Sequence, residues 1–336
     1  MVISKITNNN IAYYCISAEV AIISSGNNIP ISTDSASKLL TKSVIDLVSK
    51  DIIDDAQSMA FVLDFTGIES VQVNAIEEGL FNVCNTRNII LANVKDSIIK
   101  QTKGLTFFVK NNTKYFKEND QRIYTFFPLS EIDCTKLLSF EEVFSLTITE
   151  KLKKYNSIKK MEHHSSSVYL SSYIDIKKFI TLDKPFVLYC IYRLAKKIFL
   201  KWIQEENKDS FNAKDMPVLI CQSLNGSYIA SFLSFLLGLD LFIIDSIGPI
   251  NKLYRSLGAA ITPGKKYIVV SDVVCLGTEV KITKNIIEYL GGIYYGNVSI
   301  VRIASIENYN DVESVFYIDK KNKEEFKYQI ITPLDE

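Results

Sequence analysis

Short apolar runs alternate with helical patterns through the C-terminal part of the chain, and this alternation restricts the fold more than any other feature. In order they read "PVLICQ", "NGSYIASFLSFLLG", "DLFIID", "KYIVVS", "EVKITKNIIEYLGG" and "YYGNVSIVRIA". Continuous apolar runs suit strands buried on both faces. Strands alternating with helices predict a parallel sheet with right-handed crossovers, and ligands of such sheets bind beyond the carboxyl ends of the strands. Before these elements, "KPFVLYCIYRLAKKIFLKWIQ" predicts a helix with a broad apolar face, in which Trp202 is a packing residue.

The N-terminal part carries a second α/β pattern. "IAYYCIS" and "EVAIIS" are expected as early strands. "STDSASKLLTKSVIDLVSKDI" opens with residues fit to cap a helix and continues at helical spacing. "AFVLDF" reads as a central strand, "VNAIEEGLFNVC" as a helix and "NIILANV" as the next strand, and "LTFFVK" and "RIYTFF" extend the sheet. The less regular stretch that follows places a boundary near residue 135. Two domains are expected, 1–135 and 136–336, a division that 336 residues accommodate.

Charge and cysteine usage exclude several classes. The 38 basic and 38 acidic residues balance, so no global footprint for nucleic acid or an anionic membrane exists. The run "EKLKKYNSIKK" is read as a solvated helix face or linker. Cys15, Cys84, Cys134, Cys190, Cys221 and Cys275 include no CxxC pair and sit mostly in apolar runs, the pattern of reduced core thiols in a cytoplasmic protein. The adjacent His163 and His164 have no ligand cluster near them, so no protein metal site is expected. The start lacks a signal-peptide core. The longest apolar stretch, "IASFLSFLLGLDLFII", is broken by Gly238 and Asp240 and reads as a buried helix and strand rather than a membrane span.

Two strand-to-turn-to-helix junctions carry the candidate chemistry. In "LICQSLNGSYIA" the turn holds Ser223, Leu224, Asn225 and Gly226, where a glycine lets backbone amides approach an anion at a helix start. In "KKYIVVSDVVCLGTEV" a strand expected to end at Ser271 and Asp272 leads to a turn from Cys275 to Thr278, whose amides and hydroxyl suit a phosphate. Glycine turns after strands are routine in α/β folds. Two at successive strand ends of one sheet make a carboxylate beside a phosphate cradle, which fits a phosphorylated sugar. Mg²⁺ would then bind through ligand oxygens and water as much as through protein.

"KKYIVVSDVVCLGTEV" resembles the phosphoribosyl-diphosphate loop of type I phosphoribosyltransferases, and the orotate phosphoribosyltransferases look most similar. "HHSSSVYLSSYIDIKKFI" resembles their segment before the core, with Tyr173 and Asp175 on the base side. "LICQSLNGSYIASFLSFLLGLDLFII" resembles their diphosphate strand and helix, and "DSIGPINKLYRSLGAAITPGKKY" occupies the place of their flexible catalytic loop. The resemblance covers about residues 155–320. It implies that Asp272 holds the ribose, that Asp272, Val273, Val274, Cys275, Gly277 and Thr278 surround ribose and phosphate, and that Ser223, Leu224, Asn225 and Gly226 meet the diphosphate. It also implies that Lys252 or Arg255 offsets leaving-group charge. The sequence departs from the family at Ser271, where an acid is expected, at Leu276, where a hydroxyl is expected, and at Glu279, which adds a like charge. The loop has no histidine.

The N-terminal stretch with Asp64, Phe65 and Gly67 resembles STAS-like domains of bacterial regulators, although the plainer reading of Asp64 is a turn acid. The expected architecture is therefore a parallel-sheet phosphoribosyltransferase-like domain after a smaller STAS-like α/β domain. The expected ligand is phosphoribosyl diphosphate or a nucleotide, with Mg²⁺ bound through its diphosphate. A protein partner at the N-terminal domain and a homodimer are expected, and nucleic acid and membrane are not. Phosphoribosyl transfer to a nucleobase is the activity implied. The alternative is a degenerate module of that fold which senses a ligand or binds a partner.

Overall fold

The computed structural model describes residues 5–16, 39–84, 86–102, 123–126, 137–162, 168–204, 216–244, 261–304, 312–319 and 322–331. Chain contacts divide it into two compact units, Met1–Ile148 and Thr149–Glu336. The boundary expected near residue 135 precedes this division and falls outside the described residues.

The first unit contains β1 (Lys5–Asn8), β2 (Ile11–Cys15), β3 (Leu39–Leu40), α1 (Lys42–Asp54), β4 (Ala60–Asp64), β5 (Ser70–Val71), α2 (Ala75–Cys84), β6 (Asn88–Ala92), α3 (Asp96–Gln101) and β7 (Ile123–Phe126). Its sheet has the order β1-β2-β4-β6-β7, with β2, β4 and β6 parallel and antiparallel strands at both edges. Every residue of β4 is buried, as its continuous apolar run predicts for a central strand. Val44, Ile45, Val48 and Ile52 recur at helical spacing on α1 and pack into the core with Phe61, Leu63 and Leu80.

Helix α1 starts later than its sequence suggests. Leu39 and Leu40 pair with Ser70 and Val71 as a short parallel ladder, and Gln72 N donates to Leu40 O at 2.9 Å, so this backbone is committed before the helix begins. Thr41 takes the cap position without a side-chain cap bond. The expected strands 19–24 and 105–110 lie outside the described residues. Asp64 closes β4 and is 7% exposed. Its Oδ1 accepts from Thr66 N at 2.9 Å, Thr66 Oγ1 at 2.6 Å and Asn93 Nδ2 at 2.9 Å. Those bonds make it a turn acid that fixes two neighbouring strand ends.

Helix α4 (Phe140–Lys154) carries the chain into the second unit. There follow β8 (Asn156–Ser157), β9 (Met161–Glu162), β10 (Tyr169–Leu170), β11 (Tyr173–Ile174), α5 (Ile176–Leu182) and α6 (Lys184–Ile198), which continues as a π-helical stretch over Phe199–Gln204. Trp202 in that stretch is buried with its ring 6.3 Å from Tyr295, a packing residue as expected. The remaining elements are β12 (Val218–Cys221), α7 (Leu224–Leu237), β13 (Leu241–Ile243), β14 (Lys266–Val274), α8 (Thr278–Tyr289), β15 (Ile293–Ile303), β16 (Val312–Ile318), α9 (Lys323–Phe326) and β17 (Ile330–Ile331).

The large sheet has the order β13-β12-β14-β15-β16 and is parallel throughout. The chain steps one way from β12 to β13 and the other way from β14 to β15. The strand order therefore reverses between β12 and β14, and a crevice opens at such a switch point. Helix α7 ends on Gly238, whose φ of 64° is the left-handed conformation that glycine adopts without strain. A small antiparallel sheet, β17-β10-β9, joins the C-terminal segment to the start of this unit. In the run 150–160, Lys151 pairs with Asp183 and Lys153 with Glu325 at 2.6 Å, so it is a structural surface. Cys84, Cys190 and Cys221 are buried and all described cysteines are free thiols. Cys134, His163 and His164 lie outside the described residues. No described helix is long and apolar enough to cross a membrane.

Candidate functional site

The carboxyl end of β12 lies beside β14, because Ile220 pairs with Val269 in the parallel ladder. After β12, Ser223 caps α7, its Oγ accepting from Gly226 N at 3.0 Å. Leu224, Asn225 and Gly226 are thus the first helical turn, not a loop. Leu224 is 80% exposed and does not line the pocket. Gly226 is closely packed: a Cβ there would lie 2.9 Å from Ser223 Oγ and 3.1 Å from Val270 O. Of the four expected diphosphate residues, Ser223 and Asn225 line the pocket.

Strand β14 runs past its expected end. Its ladder with β15 continues through Ser271↔Ser299, Val273↔Val301 and Val274↔Arg302. Asp272, Val273 and Val274 are therefore strand residues, and the turn is confined to Cys275, Leu276 and Gly277. Neighbouring side chains on a strand alternate between faces. Ser271 accordingly meets Asn297 Nδ2 at 3.1 Å, whereas Asp272 Oδ2 accepts from Asn225 Nδ2 at 2.8 Å. Gly277 holds φ at 73° in the cap position of α8 and has no side chain to cap with. The first backbone N–H groups of α8 thus have no intrahelical acceptor, and Gly277, Thr278, Glu279 and Val280 line the pocket.

These parts enclose a cavity of about 250 Å³, below the ~300–1,000 Å³ usual for drug-sized ligands, so it admits a compact one. The small sheet supplies Met161, Glu162 and Leu170, the β8–β11 ladder supplies Tyr173, and the C-terminal segment supplies Tyr328. Tyr328 OH and Cys275 Sγ are hydrogen-bonded, which ties that segment to the turn. Burial pushes both the Cys275 thiol and the Tyr328 phenol up. Burial also raises the Tyr173 phenol, and the carboxylates of Asp272, Asp175 and Glu279 raise it further.

Asp175 lies outside the pocket lining. Its Oδ1 accepts from Lys178 N at 3.0 Å as the cap of α5, and Lys178 Nζ pairs with it at 3.4 Å. Lys252 and Arg255 fall outside the described residues. Sequence reasoning missed Glu162 and Tyr328, which reach the site from short strands and a terminal segment that carry no periodic signal.

No protein-family model matches the chain, and no curated protein matches it. Solved structures to which the chain is similar include the following. The orotate phosphoribosyltransferase of Aeropyrum pernix is 14% identical and is matched over 54% of this chain and 99% of that one, with a TM-score of 0.35. That of Mycobacterium tuberculosis is 17% identical over 52% of this chain and 97% of that one, at 0.37. The UMP synthase of Leishmania donovani is 13% identical over 83% of this chain and 55% of that one, at 0.39.

The pocket is acidic. Glu162, Asp272 and Glu279 line it, and no lysine or arginine does so among the described residues. Glu279 occupies the first turn of α8, where a carboxylate interacts favourably with the helix dipole and competes with an incoming anion.

Proposed function

We propose that the second unit binds a phosphoribosyl ligand, phosphoribosyl diphosphate or a nucleotide, in the crevice between β12 and β14. The observation that carries this reading is the convergence on one cavity of Asp272, oriented by Asn225, and of the α8 N-terminus entered through Gly277. The carboxylate is an acceptor for ribose hydroxyls. The amides of Gly277, Thr278 and Val280 are donors for a phosphate. Ser223 and Asn225 stand where the resemblance places diphosphate contacts. Transfer of the phosphoribosyl group to a base is the further step, with Lys252 or Arg255 offsetting charge on the leaving diphosphate.

Mg²⁺ belongs to the same reading. No cluster of three or more His, Cys, Asp or Glu among the described residues is placed to hold a metal ion. The pocket carboxylates are nonetheless oxygen donors of the kind Mg²⁺ takes. Asp272 would supply one ligand, and the ligand's diphosphate and water the rest.

A second reading, ligand sensing without turnover, draws on one observation: the lining holds three carboxylates and, among the described residues, no basic side chain. In either case a STAS-like, partner-binding role for the N-terminal unit is part of the proposal, resting on Asp64, Phe65 and Gly67.

Calorimetric titration of the full chain with phosphoribosyl diphosphate and with nucleoside monophosphates, with and without Mg²⁺, tests the binding. Failure of every one of these ligands to bind refutes it. Turnover of orotate, adenine, guanine, hypoxanthine or uracil separates transfer from sensing.

A further inference from the structure

Beneath α8 the parallel sheet carries a row of polar residues in an otherwise apolar layer. Val269 pairs with Asn297 and Ser271 with Ser299, and Gln222 stands two residues beyond Ile220, level with Ser271. Asn297 and Ser299 are fully buried, and Thr283 of α8 is 1% exposed. Gln222 Nε2 donates to Thr283 Oγ1, and Asn297 Nδ2 donates to Val269 O at 3.0 Å and to Ser271 Oγ at 3.1 Å. Three atoms of this seam are buried without a hydrogen-bond partner among the described residues: Gln222 Oε1, Asn297 Oδ1 and Ser299 Oγ.

Turning either amide over does not cure the deficit. Thr283 gives its own proton to Glu279 O at 2.8 Å, so it needs the donor that Gln222 Nε2 provides. Turning Asn297 over would set its Oδ1 against the Val269 carbonyl, two acceptors with no proton between them. Buried polar groups in folded proteins are paired, either with protein or with ordered water.

We propose that the seam is a binding site for ordered water, held by Gln222, Asn297 and Ser299 between the sheet and α8. The stoichiometry balances for a single molecule. Its two hydrogens serve the two amide oxygens, and one lone pair takes the Ser299 hydroxyl proton, which gives three bonds, the usual number for an internal water. The site is separate from the proposed ligand pocket but adjoins it through Ser271, which lines that pocket and is bonded to Asn297. It explains why a serine stands at position 271. This side chain takes a donor in the seam, while Asp272, the next residue on the strand, is held by Asn225.

The experiment is Ser299→Ala in the full chain, followed by thermal unfolding, with a high-resolution crystal structure of the unsubstituted protein. A hydrated Ser299 loses a bonded partner on substitution, so the melting temperature falls by about 2–4 °C, the shift expected for one lost hydrogen bond. An orphaned hydroxyl would instead be relieved by alanine, and an unchanged or raised melting temperature overturns the proposal. Density for water within hydrogen-bond reach of at least two of the three atoms supports it. Density in which the three bond directly to protein overturns it, whatever the variant does. Neither result depends on what the pocket binds.

Discussion

Asp272→Asn is the substitution that bears most directly on the proposed site. In the folded chain one oxygen of this carboxylate, Oδ2, is already held by Asn225 Nδ2 at 2.8 Å, which fixes the side chain toward the cavity and leaves Oδ1 for a ligand. A charge-assisted hydrogen bond from a ribose hydroxyl is worth roughly 1.5–3 kcal/mol. Its loss corresponds to weakening of about 10- to 150-fold in Kd. The amide oxygen of the substituted residue still accepts the Asn225 bond, so the folded state loses at most about 1 kcal/mol, or roughly 2–4 °C in melting temperature. The assay is calorimetric titration with phosphoribosyl diphosphate and a nucleoside monophosphate, run beside a thermal melt. If Kd stays within about twofold while the melting temperature drops well beyond that range, the carboxylate is a structural tie between β14 and α7, and the ribose role is refuted.

Glu279→Ser acts in the opposite direction. Removing a like charge from the first turn of α8 strengthens binding of a 5′-phosphate by about 3- to 10-fold at low salt, an advantage that shrinks as salt rises, and titrations at two ionic strengths check both statements. Gly226→Ala destabilises the chain by about 1–3 kcal/mol in urea unfolding, although alanine is ordinarily the better helix former, because the added Cβ would meet Ser223 Oγ at 2.9 Å and Val270 O at 3.1 Å. Burial acts to raise the Asp183 carboxyl, but hydrogen bonds from Lys151 and Tyr155 outweigh it and hold the group below the usual carboxylate range. Its folded pKa is therefore depressed, so its contribution is complete above about pH 4 and lost as pH falls through the folded value. Asp183→Asn flattens the dependence of stability on pH below about pH 4, read from denaturant midpoints across the acid range.

Elements with a strong local pattern were legible from the residues. The buried runs of β4, β12 and β14 and the amphipathic spacing of α1 and α8 are encoded within each segment, and each forms where its pattern places it. Ends were less legible. Helix α1 loses its first turn to the Leu39–Leu40 ladder, and β14 gains Asp272, Val273 and Val274 because β15 continues to pair with it. Both outcomes depend on a partner strand that local periodicity does not contain. The same holds for roles: Asp175 and Ser223 are helix caps, and Gly226 is a packing residue.

The sequence by itself determined that two α/β patterns follow one another, that the second builds a parallel sheet, and that Asp272 and Gly277 fall near a strand end. Those properties follow from side-chain period and turn chemistry, which act over a few residues. Only the tertiary structure decided that Asn225 holds Asp272 across 47 residues of chain, that Tyr328 closes on Cys275 across 53, and that Gln222 bonds Thr283 while Asn297 bonds Ser271 beneath α8. Each of these depends on strand order and register, which are set by the packing of the whole sheet, so residues far apart in sequence become neighbours only when it forms.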